Sequence, residues 1–295
     1  MIKKIGLHGN RINPDFYEYF SLLCKKLSDK KVEIFVFQTF LENINKNYPN
    51  KFNVKGTFTC FYDLEPDIDL MICIGGDGTF LEAVSIVRTL NIPIVGVNSG
   101  QLGFLTNISK NEIENAFNAI FSGNYLIQER TLLKLSSPSA IFPDFNFALN
   151  ELTIHKLDTS SMIAINASVN SEYLNRYRAD GLIISTATGS TAYSLSAGGP
   201  ILVPEANNFV ISPIAPHNLN VRPLVVPDTA VITLTIQSRT KKCLISLDHR
   251  SIAIDSSAQL TIKKADFTIK ILQSLQYNFF NTLRYKLMWG ADPRN

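Results

Sequence analysis

The stretch from Leu70 to Glu82, LMICIGGDGTFLE, decides the fold class of this chain. A short run that is apolar throughout, Leu70 to Ile74, leads into three glycines and an aspartate, and then into a helical pattern. A strand without polar alternation is typical of a parallel sheet that is covered on both faces. Thr79 and Glu82 have the spacing of a capping box, which predicts that the helix starts at Thr79.

Strand-like and helical segments alternate on both sides of this stretch. Strands are predicted at Ile2–Leu7, Val32–Phe37, Leu70–Ile74 and Pro93–Val97, and helices at Phe16–Asp29, Thr79–Leu90 and Lys110–Phe121. The β-α-β order predicts an α/β N-terminal domain, residues 1–130, that is built on a doubly wound, mainly parallel sheet.

The pattern changes near Thr131, after which short strands dominate. They are predicted at Thr131–Leu135, Phe145–His155, Met162–Val169, Gly181–Ser185, Val231–Gln237, Leu244–Leu247 and Leu260–Ile262, with a hairpin turn at Asp248-His249-Arg250. We therefore expect an all-β, sandwich-like C-terminal domain over residues 131–272. The last residues, 273–295, are expected to form a helical tail (Leu275–Trp289) that packs back on the first domain. A length of 295 residues agrees with about two domains.

Composition excludes several classes of protein. Apolar residues make up 45% and charged residues 18%, so the chain is not disordered, and a net charge of +3 is too balanced to predict a nucleic-acid or membrane partner. The cysteines show no CxxC spacing and the histidines no HxxxH pair, which argues against disulfides and zinc. The chain has neither a signal-peptide pattern nor an apolar run of about 18 residues, so we expect a cytoplasmic protein.

The glycine-rich turn after Ile74 is the sharpest local motif. Glycines let backbone N–H groups approach an anion, and the N-terminus of a helix favours negative charge, so the turn is a candidate phosphate site. Its candidate residues are Gly75, Gly76, Gly78 and Thr79. The alternative is a tight turn that carries a solvated aspartate. The loop matches neither Walker A, which needs a lysine, nor the dinucleotide fingerprint GxGxxG, which would need glycine at Leu81.

Two further groups of polar residues follow in the second half of the chain. The segment from Asp180 to Pro200 combines glycines with a run of hydroxyl residues and one tyrosine, which suit phosphate or sugar oxygens. Its alternative interpretation is a polar loop with a serine cap. Asn150 and Glu151 stand in an otherwise apolar strand, where an amide and an acid could bind a ligand by paired hydrogen bonds or simply mark a strand end at a sheet edge.

Together these motifs resemble those of the NAD kinase family. The family's GGDG loop is Gly75–Gly78, its GxNxGxLGFL segment is Gly96–Leu105, its NE motif is Asn150-Glu151, its long glycine and hydroxyl signature is Asp180–Pro200, and its PHxLxxRP element is Pro216–Pro223. Lipid kinases and 6-phosphofructokinases have similar GGDG loops, so that loop alone is weak. Its combination with TGSTAY (Thr188–Tyr193) and with Asn150-Glu151 is specific to the NAD kinase family.

The resemblance implies transfer of a terminal phosphoryl group from ATP, or from another donor, to the 2′-hydroxyl of the adenosine ribose of NAD, which yields NADP. Asp77 would accept or orient the hydroxyl proton. Mg²⁺ would be bound mainly through the donor phosphates, with no metal ligand assigned to the chain.

The resemblance also implies an NAD-binding set and an assembly. The set consists of Asn150, Glu151, Arg178, Asp180, Thr191, Ala192, Tyr193 and Ser196. A homo-oligomer, dimer or tetramer, is expected, in which residues near Arg178 complete a neighbour's site.

Two positions depart from the family pattern, and two other functions stay open. Ala187 stands where TPTGSTAY has proline, and Arg250 stands where many bacterial members have glutamine. The alternatives are a lipid kinase with the same GGDG loop and a silent dinucleotide-binding regulator. Nothing in the sequence suggests the membrane-facing surface of a lipid kinase, and the intact Asp77 argues against a silent regulator.

Overall fold

The computed structural model describes residues 2–47, 53–100, 103–136, 141–157 and 162–290. The chain divides into two compact units: unit 1 comprises Met1–Glu129 and Ile269–Asn295, and unit 2 comprises Arg130–Thr268. Among the described residues, no helix is both long enough and apolar enough to cross a membrane.

Unit 1 is an α/β layer structure around a parallel sheet, which confirms the predicted fold class. Its strands are β1 (Lys4–Gly9), β2 (Glu33–Phe37), β3 (Gly56–Phe58), β4 (Leu70–Gly75) and β5 (Ile94–Asn98). Its helices in this part of the chain are α1 (Tyr17–Asp29), α2 (Gln38–Asn47), α3 (Asp77–Val87) and α4 (Ile113–Phe121). The sheet order is β5-β4-β1-β2-β3, and every neighbouring pair is parallel.

The core of unit 1 explains why its central strands lack polar alternation. All six residues of β4 are buried, as are all five of β5, because helices cover both faces. Residues 269–274 return to this sheet, where Ile271 pairs in parallel with Ile94.

Helix α3 starts earlier than the capping box predicts. Its first residue is Asp77 and its N-cap is Gly76, so Thr79 lies inside the first turn and the Thr79 cap is wrong. The extended backbone of Gly76 ends the strand, and the acid at the first helical position complements the positive end of the helix. Two elements of unit 1, α2 and β3, were missing from the prediction. Strand β3 has only three residues, which give little pattern to detect.

Unit 2 is a sandwich of two antiparallel sheets, as predicted. Its strands are β6 (Tyr125–Leu135, which begins in unit 1), β7 (Phe147–Ala148), β8 (Glu151–Lys156), β9 (Ile163–Val169), β10 (Glu172–Ala179), β11 (Gly181–Ser185), β12 (Asn208–Ile214), β13 (Leu224–Pro227), β14 (Ile232–Gln237), β15 (Lys242–Leu247), β16 (Arg250–Asp255) and β17 (Gln259–Ser274), and a short helix α5 spans Tyr193–Ser196. One sheet has the order β13-β12-β11-β8-β15-β16, and the other contains β10-β9-β14-β17. Apolar residues from both sheets form one core.

Several strand boundaries in unit 2 differ from the prediction. The strand predicted at Phe145–His155 is interrupted at Leu149 and Asn150, so β7 and β8 are separate. Strand β8 lies in the middle of its sheet, which contradicts the sheet-edge alternative for Asn150-Glu151. The hairpin turn at Asp248-His249 is confirmed, since it joins β15 to β16.

The tail ends in helix α6, Phe279–Leu287, which is shorter than the predicted Leu275–Trp289. The Asn278 side chain caps it by accepting hydrogen bonds from the N–H groups of Phe280 and Asn281. The Lys286 ammonium lies 5.8 Å from the centre of the Phe104 ring, within unit 1.

Candidate functional site

The glycine loop of unit 1 joins β4 to α3 at the carboxyl end of the sheet. Gly76 and Gly78 are exposed, and a Cβ added at either position would meet no described atom within 4 Å. The packing of the protein therefore does not require glycine there. Backbone N–H groups at the start of a helix, left open to solvent, form a surface that an anion can approach closely.

Asp77 faces the loop that follows β5. Its Oδ1 accepts hydrogen bonds from the N–H of Leu105 (3.0 Å), the N–H of Thr106 (3.0 Å) and the hydroxyl of Thr106 (3.0 Å). Its Oδ2 accepts one hydrogen bond, from the N–H of Phe104 at 2.8 Å. The carboxylate thus joins the GGDG loop to the second glycine-rich segment of unit 1.

This carboxylate is held by a buried polar network. The Thr106 hydroxyl also accepts a hydrogen bond from Nδ2 of Asn98 at 2.9 Å, and Oδ1 of Asn98 accepts one from the N–H of Gly100 at 2.7 Å. Thr106 and Asn98 are both buried. The Asn98 and Gly100 positions of the GxNxGxLGFL segment therefore support Asp77, while Gln101 and Leu102 of that segment lie outside the described residues.

The two oxygens of Asp77 differ in what they can still bind. A carboxylate offers about four lone-pair directions, about two on each oxygen. Among the described residues, Oδ1 accepts three hydrogen bonds and Oδ2 accepts one. Oδ2 is therefore the atom that can accept a hydroxyl group of a substrate.

The second group of candidate residues lies in unit 2, around the break between β7 and β8. Asn150 and Glu151 are each 8% exposed. The carbonyl of Asn150 accepts a hydrogen bond from the N–H of Thr186 at 2.9 Å, and the Thr186 hydroxyl donates to the carbonyl of Leu149 at 2.6 Å. A Cβ on Gly189 would lie 2.1 Å from the Asn150 carbonyl oxygen. The NE motif and the ATGSTAY loop are consequently packed against each other.

Glu151 is the most strongly perturbed acid of this group. Burial and, to a smaller extent, the nearby Asp248 raise the pKa of its carboxyl to about 8, against the opposing effect of a hydrogen bond from the backbone N–H of Tyr193. Its Oε2 is buried without a hydrogen-bond partner among the described residues. A neutral carboxyl with a free oxygen can donate a hydrogen bond to a ligand as well as accept one.

Tyr193 and Asp180 belong to the same part of unit 2. The rings of Tyr193 and His155 are stacked, with centroids 5.8 Å apart, and the Tyr193 hydroxyl lies 3.0 Å from Nε2 of His155. Burial lowers the pKa of His155, whereas Asp180 opposes that change. The Lys156 ammonium lies 2.6 Å from Oδ1 of Asp180. His155 and Lys156, which contact Tyr193 and Asp180, were not among the predicted residues; both lie on β8, the strand that begins with Glu151.

The remaining predicted residues divide into two sets. Thr191, Ala192 and Ser196 lie beside Tyr193 in the turn and short helix that follow Gly189. Arg178 is exposed on β10, in the other sheet of unit 2, where its carbonyl accepts a hydrogen bond from the N–H of His217 at 2.9 Å. No contact in the described part of the chain joins its side chain to the Tyr193 group.

Across the described ranges, no group of three or more His, Cys, Asp or Glu side chains is placed to hold an ion. Asp77, at the glycine loop, is the acid best placed to lie beside a phosphate-bound cation.

Comparison with known proteins matches both halves of the chain to one family. The profile of the ATP-NAD kinase N-terminal domain matches residues 5–125, and that of the ATP-NAD kinase C-terminal domain matches residues 149–274. The chain is 44% identical to the NAD kinase of Cytophaga hutchinsonii over 98% of its own length and 99% of that protein. It is 46% identical to the NAD kinase of Flavobacterium psychrophilum over 99% of its own length and 100% of that protein.

Solved structures show the same fold. A yeast NADH kinase complexed with NADH has a TM-score of 0.85 at 24% identity, and the match covers 99% of this chain and 89% of that one. An NAD kinase from Archaeoglobus fulgidus in complex with ATP has a TM-score of 0.74 at 23% identity, with coverage of 97% and 98%. The lipid kinase alternative draws no support from these matches. With both domain profiles matched and close relatives aligned over nearly their full length, this chain belongs to the NAD kinase family.

Proposed function

We propose that this protein transfers the terminal phosphoryl group of ATP, or of another phosphoryl donor, to the 2′-hydroxyl of the adenosine ribose of NAD, and so makes NADP. The chain is a phosphotransferase by family, and NAD kinase is the activity that its relatives carry. The observation that carries the proposal is the Asp77 carboxylate, fixed by three backbone N–H groups beside an open glycine loop.

Asp77 acts on the attacking hydroxyl. With Oδ1 committed to Leu105 and Thr106, Oδ2 accepts the hydroxyl hydrogen and orients the oxygen toward the donor. Phosphoryl transfer relies on positioning and on stabilisation of charge more than on covalent help from the protein. A carboxylate that is already immobilised by the loop after β5 meets the positioning requirement.

The donor phosphates bind at Gly75, Gly76, Gly78 and Thr79, which run from the end of β4 into the first turn of α3, where backbone N–H groups and the helix dipole favour negative charge. Mg²⁺, held mainly by the donor phosphates with Asp77 nearby, supplies charge neutralisation when bound. The chain's own contribution is the backbone cradle and the acid.

The residues that bind NAD lie in unit 2. Asn150 and Glu151 bind the ribose and ring of NAD, and the pocket is lined further by Asp180, Thr191, Ala192, Tyr193 and Ser196. The buried, unpartnered Oε2 of Glu151 supports this assignment, because a buried polar atom without a partner costs stability unless a ligand satisfies it.

The test is to incubate the purified protein with NAD, ATP and Mg²⁺ and to detect NADP with an NADP-specific dehydrogenase. Asp77→Asn is the matched variant: it keeps the shape of the side chain but removes its charge. It is expected to lower kcat by about a hundredfold or more while NAD binding survives. A variant with wild-type kcat would contradict the role of Asp77, and a wild-type protein that makes no NADP would contradict the function.

Assembly and location are part of the same proposal. Family membership supports a homo-oligomer, dimer or tetramer, in which residues near the exposed Arg178 complete a neighbour's site. Light scattering coupled to gel filtration measures the assembly, and a monomer with full activity would contradict it. The four free cysteines are compatible with a cytoplasmic protein.

A further inference from the structure

The turn between β15 and β16 holds the backbone that carries Asn150 and Glu151. Asp248, the first residue of this turn, is a partly buried acid in the left-handed region of the backbone, with φ of 52°. Non-glycine residues adopt that conformation infrequently, and aspartate is one of the few that tolerate it, so the turn can place a carboxylate at this position.

The Asp248 carboxylate binds three consecutive backbone N–H groups. Oδ2 accepts a hydrogen bond from Leu149 at 2.9 Å, and Oδ1 accepts from Asn150 at 2.8 Å and from Glu151 at 3.2 Å. The backbone N–H of Asp248 in turn donates to the Glu151 carbonyl at 3.0 Å. Between the end of β7 and the start of β8, these hydrogen bonds take the place of the hydrogen bonds that a neighbouring strand would make.

Arg250, two residues later, holds the segment just upstream. Its guanidinium donates one hydrogen bond to the carbonyl of Phe145 and another to the carbonyl of Phe147. The same group lies 4.8 Å from the centre of the Phe145 ring. The planar fork of arginine is suited to bridging two acceptors in this way.

We propose that Asp248 and Arg250 form a clasp, one holding N–H groups and the other holding carbonyls of residues 145–151, and that both are positioning residues for Asn150 and Glu151. The inference rests on the proposed function, in which Asn150 and Glu151 bind NAD. Neither Asp248 nor Arg250 needs to touch NAD in order to act. Arg250, which stands where many bacterial members have glutamine, thereby gains a specific role in this chain.

The clasp fixes the direction of two side chains that have little freedom of their own. Asn150 lies in the break between β7 and β8, so its orientation depends on the hydrogen bonds that hold its N–H and its carbonyl. A displacement of about 1 Å in a binding group can cost a large factor in activity. Loosening the clasp should therefore weaken NAD recognition before it affects the fold of unit 2.

The experiment compares Asp248→Asn, Arg250→Gln and the wild type in the full-length protein. Hydrogen exchange is measured at the amides of residues 145–151, together with the KM for NAD, the KM for ATP and kcat. In Asp248→Asn we expect faster exchange at Leu149, Asn150 and Glu151, and a KM for NAD that rises roughly tenfold. The KM for ATP should stay within about twofold, because donor binding is assigned to the glycine loop of unit 1.

Arg250→Gln is expected to speed exchange in the same segment and to raise the KM for NAD by a smaller factor, since one amide cannot span both carbonyls. Ser251→Ala is the matched control: it removes a side-chain hydrogen bond to Ser246 on the same hairpin without touching residues 145–151. It should change neither the exchange nor the KM for NAD.

Unchanged exchange in both variants would overturn the clasp. Faster exchange with an unchanged KM for NAD would overturn the positioning role, as would an equal rise in both KM values with a fall in thermal stability. If the wild-type protein made no NADP, the proposed function and the role toward NAD would fall together. The exchange measurement would still decide whether the clasp holds the segment.

Discussion

A Cβ added to Gly103 would lie 1.9 Å from Oδ1 of Asp77. A carbon and an oxygen that are not bonded to each other do not approach so closely, so the loop at 103 and the carboxylate fit together only because residue 103 has no side chain. Gly103, after β5, and Asp77, after β4, are therefore one structural unit, although they lie 26 positions apart in the sequence.

Gly103→Ala should damage both stability and catalysis. The added methyl group must push Asp77 or the 104–106 backbone aside, which breaks hydrogen bonds to the carboxylate and costs about 1–3 kcal/mol in the free energy of unfolding. NADP formation should fall with it. Urea unfolding and the coupled NADP assay measure the two effects, and a fully active, equally stable variant would show that the loop does not hold Asp77.

Gly78→Ala provides the contrast with Gly103→Ala, because no described atom lies within 4 Å of the position that the added methyl group would take. Alanine favours the helical conformation over glycine by about 0.5–1 kcal/mol, so the variant should be as stable as the wild type or more stable. Its methyl group stands where a donor phosphate would approach, so the KM for ATP should rise and the KM for NAD should not. A stable variant with an unchanged KM for ATP would remove Gly78 from the phosphate site.

Glu151 should make stability depend on pH. Its folded-state pKa of about 8 lies above the ordinary value of 4.5, so the folded protein holds a proton that the unfolded chain releases. Between these values the free energy of unfolding falls as pH rises, by up to about 1.4 kcal/mol per pH unit. The groups responsible are the buried surroundings and Asp248, opposed by the Tyr193 N–H.

Glu151→Gln removes that dependence. Its stability relative to the wild type should increase between about pH 5.5 and about pH 7.5 in urea unfolding. Glu172→Gln, at an exposed position at the start of β10, is the matched control. A constant difference between Glu151→Gln and the wild type across this range would contradict the raised pKa.

Ala187→Pro should restore the family's proline without harm. Ala187 has φ of −59°, which proline adopts, and no described residue accepts a hydrogen bond from its N–H. A less flexible unfolded chain should then stabilise the protein by about 0.4–1 kcal/mol. Ala192→Pro is the opposite case, because Ala192 has φ of −99° and donates to the Gly189 carbonyl, so it should destabilise. Thermal unfolding of the pair tests both, and a destabilised Ala187→Pro would contradict the compatibility of position 187.

Sequence patterns predicted the fold class because the signals were local: uniformly apolar β4 and β5, amphipathic α1 and α4, and alternating strands in unit 2. They placed the start of α3 at Thr79 because a capping box and a glycine N-cap compete, and only the backbone decides between Thr79 and Gly76. The partners of Asp77 and of Asn150 could not be predicted. Thr106 and Asp248 reach those sites from 29 and 98 residues away, so no pattern in one stretch of sequence reveals them.

The discontinuity of unit 1 has a consequence for how the protein is made. The residues that pair with β5, around Ile271, leave the ribosome after the whole of Arg130–Thr268. Strand β17 (Gln259–Ser274) serves both units, so the α/β half, which is synthesised first, waits for a strand that leaves the ribosome only after most of unit 2. Until Ile271 arrives, β5 presents an unpaired edge in the nascent chain, and that interval is when a chaperone would find a hydrophobic strand to hold.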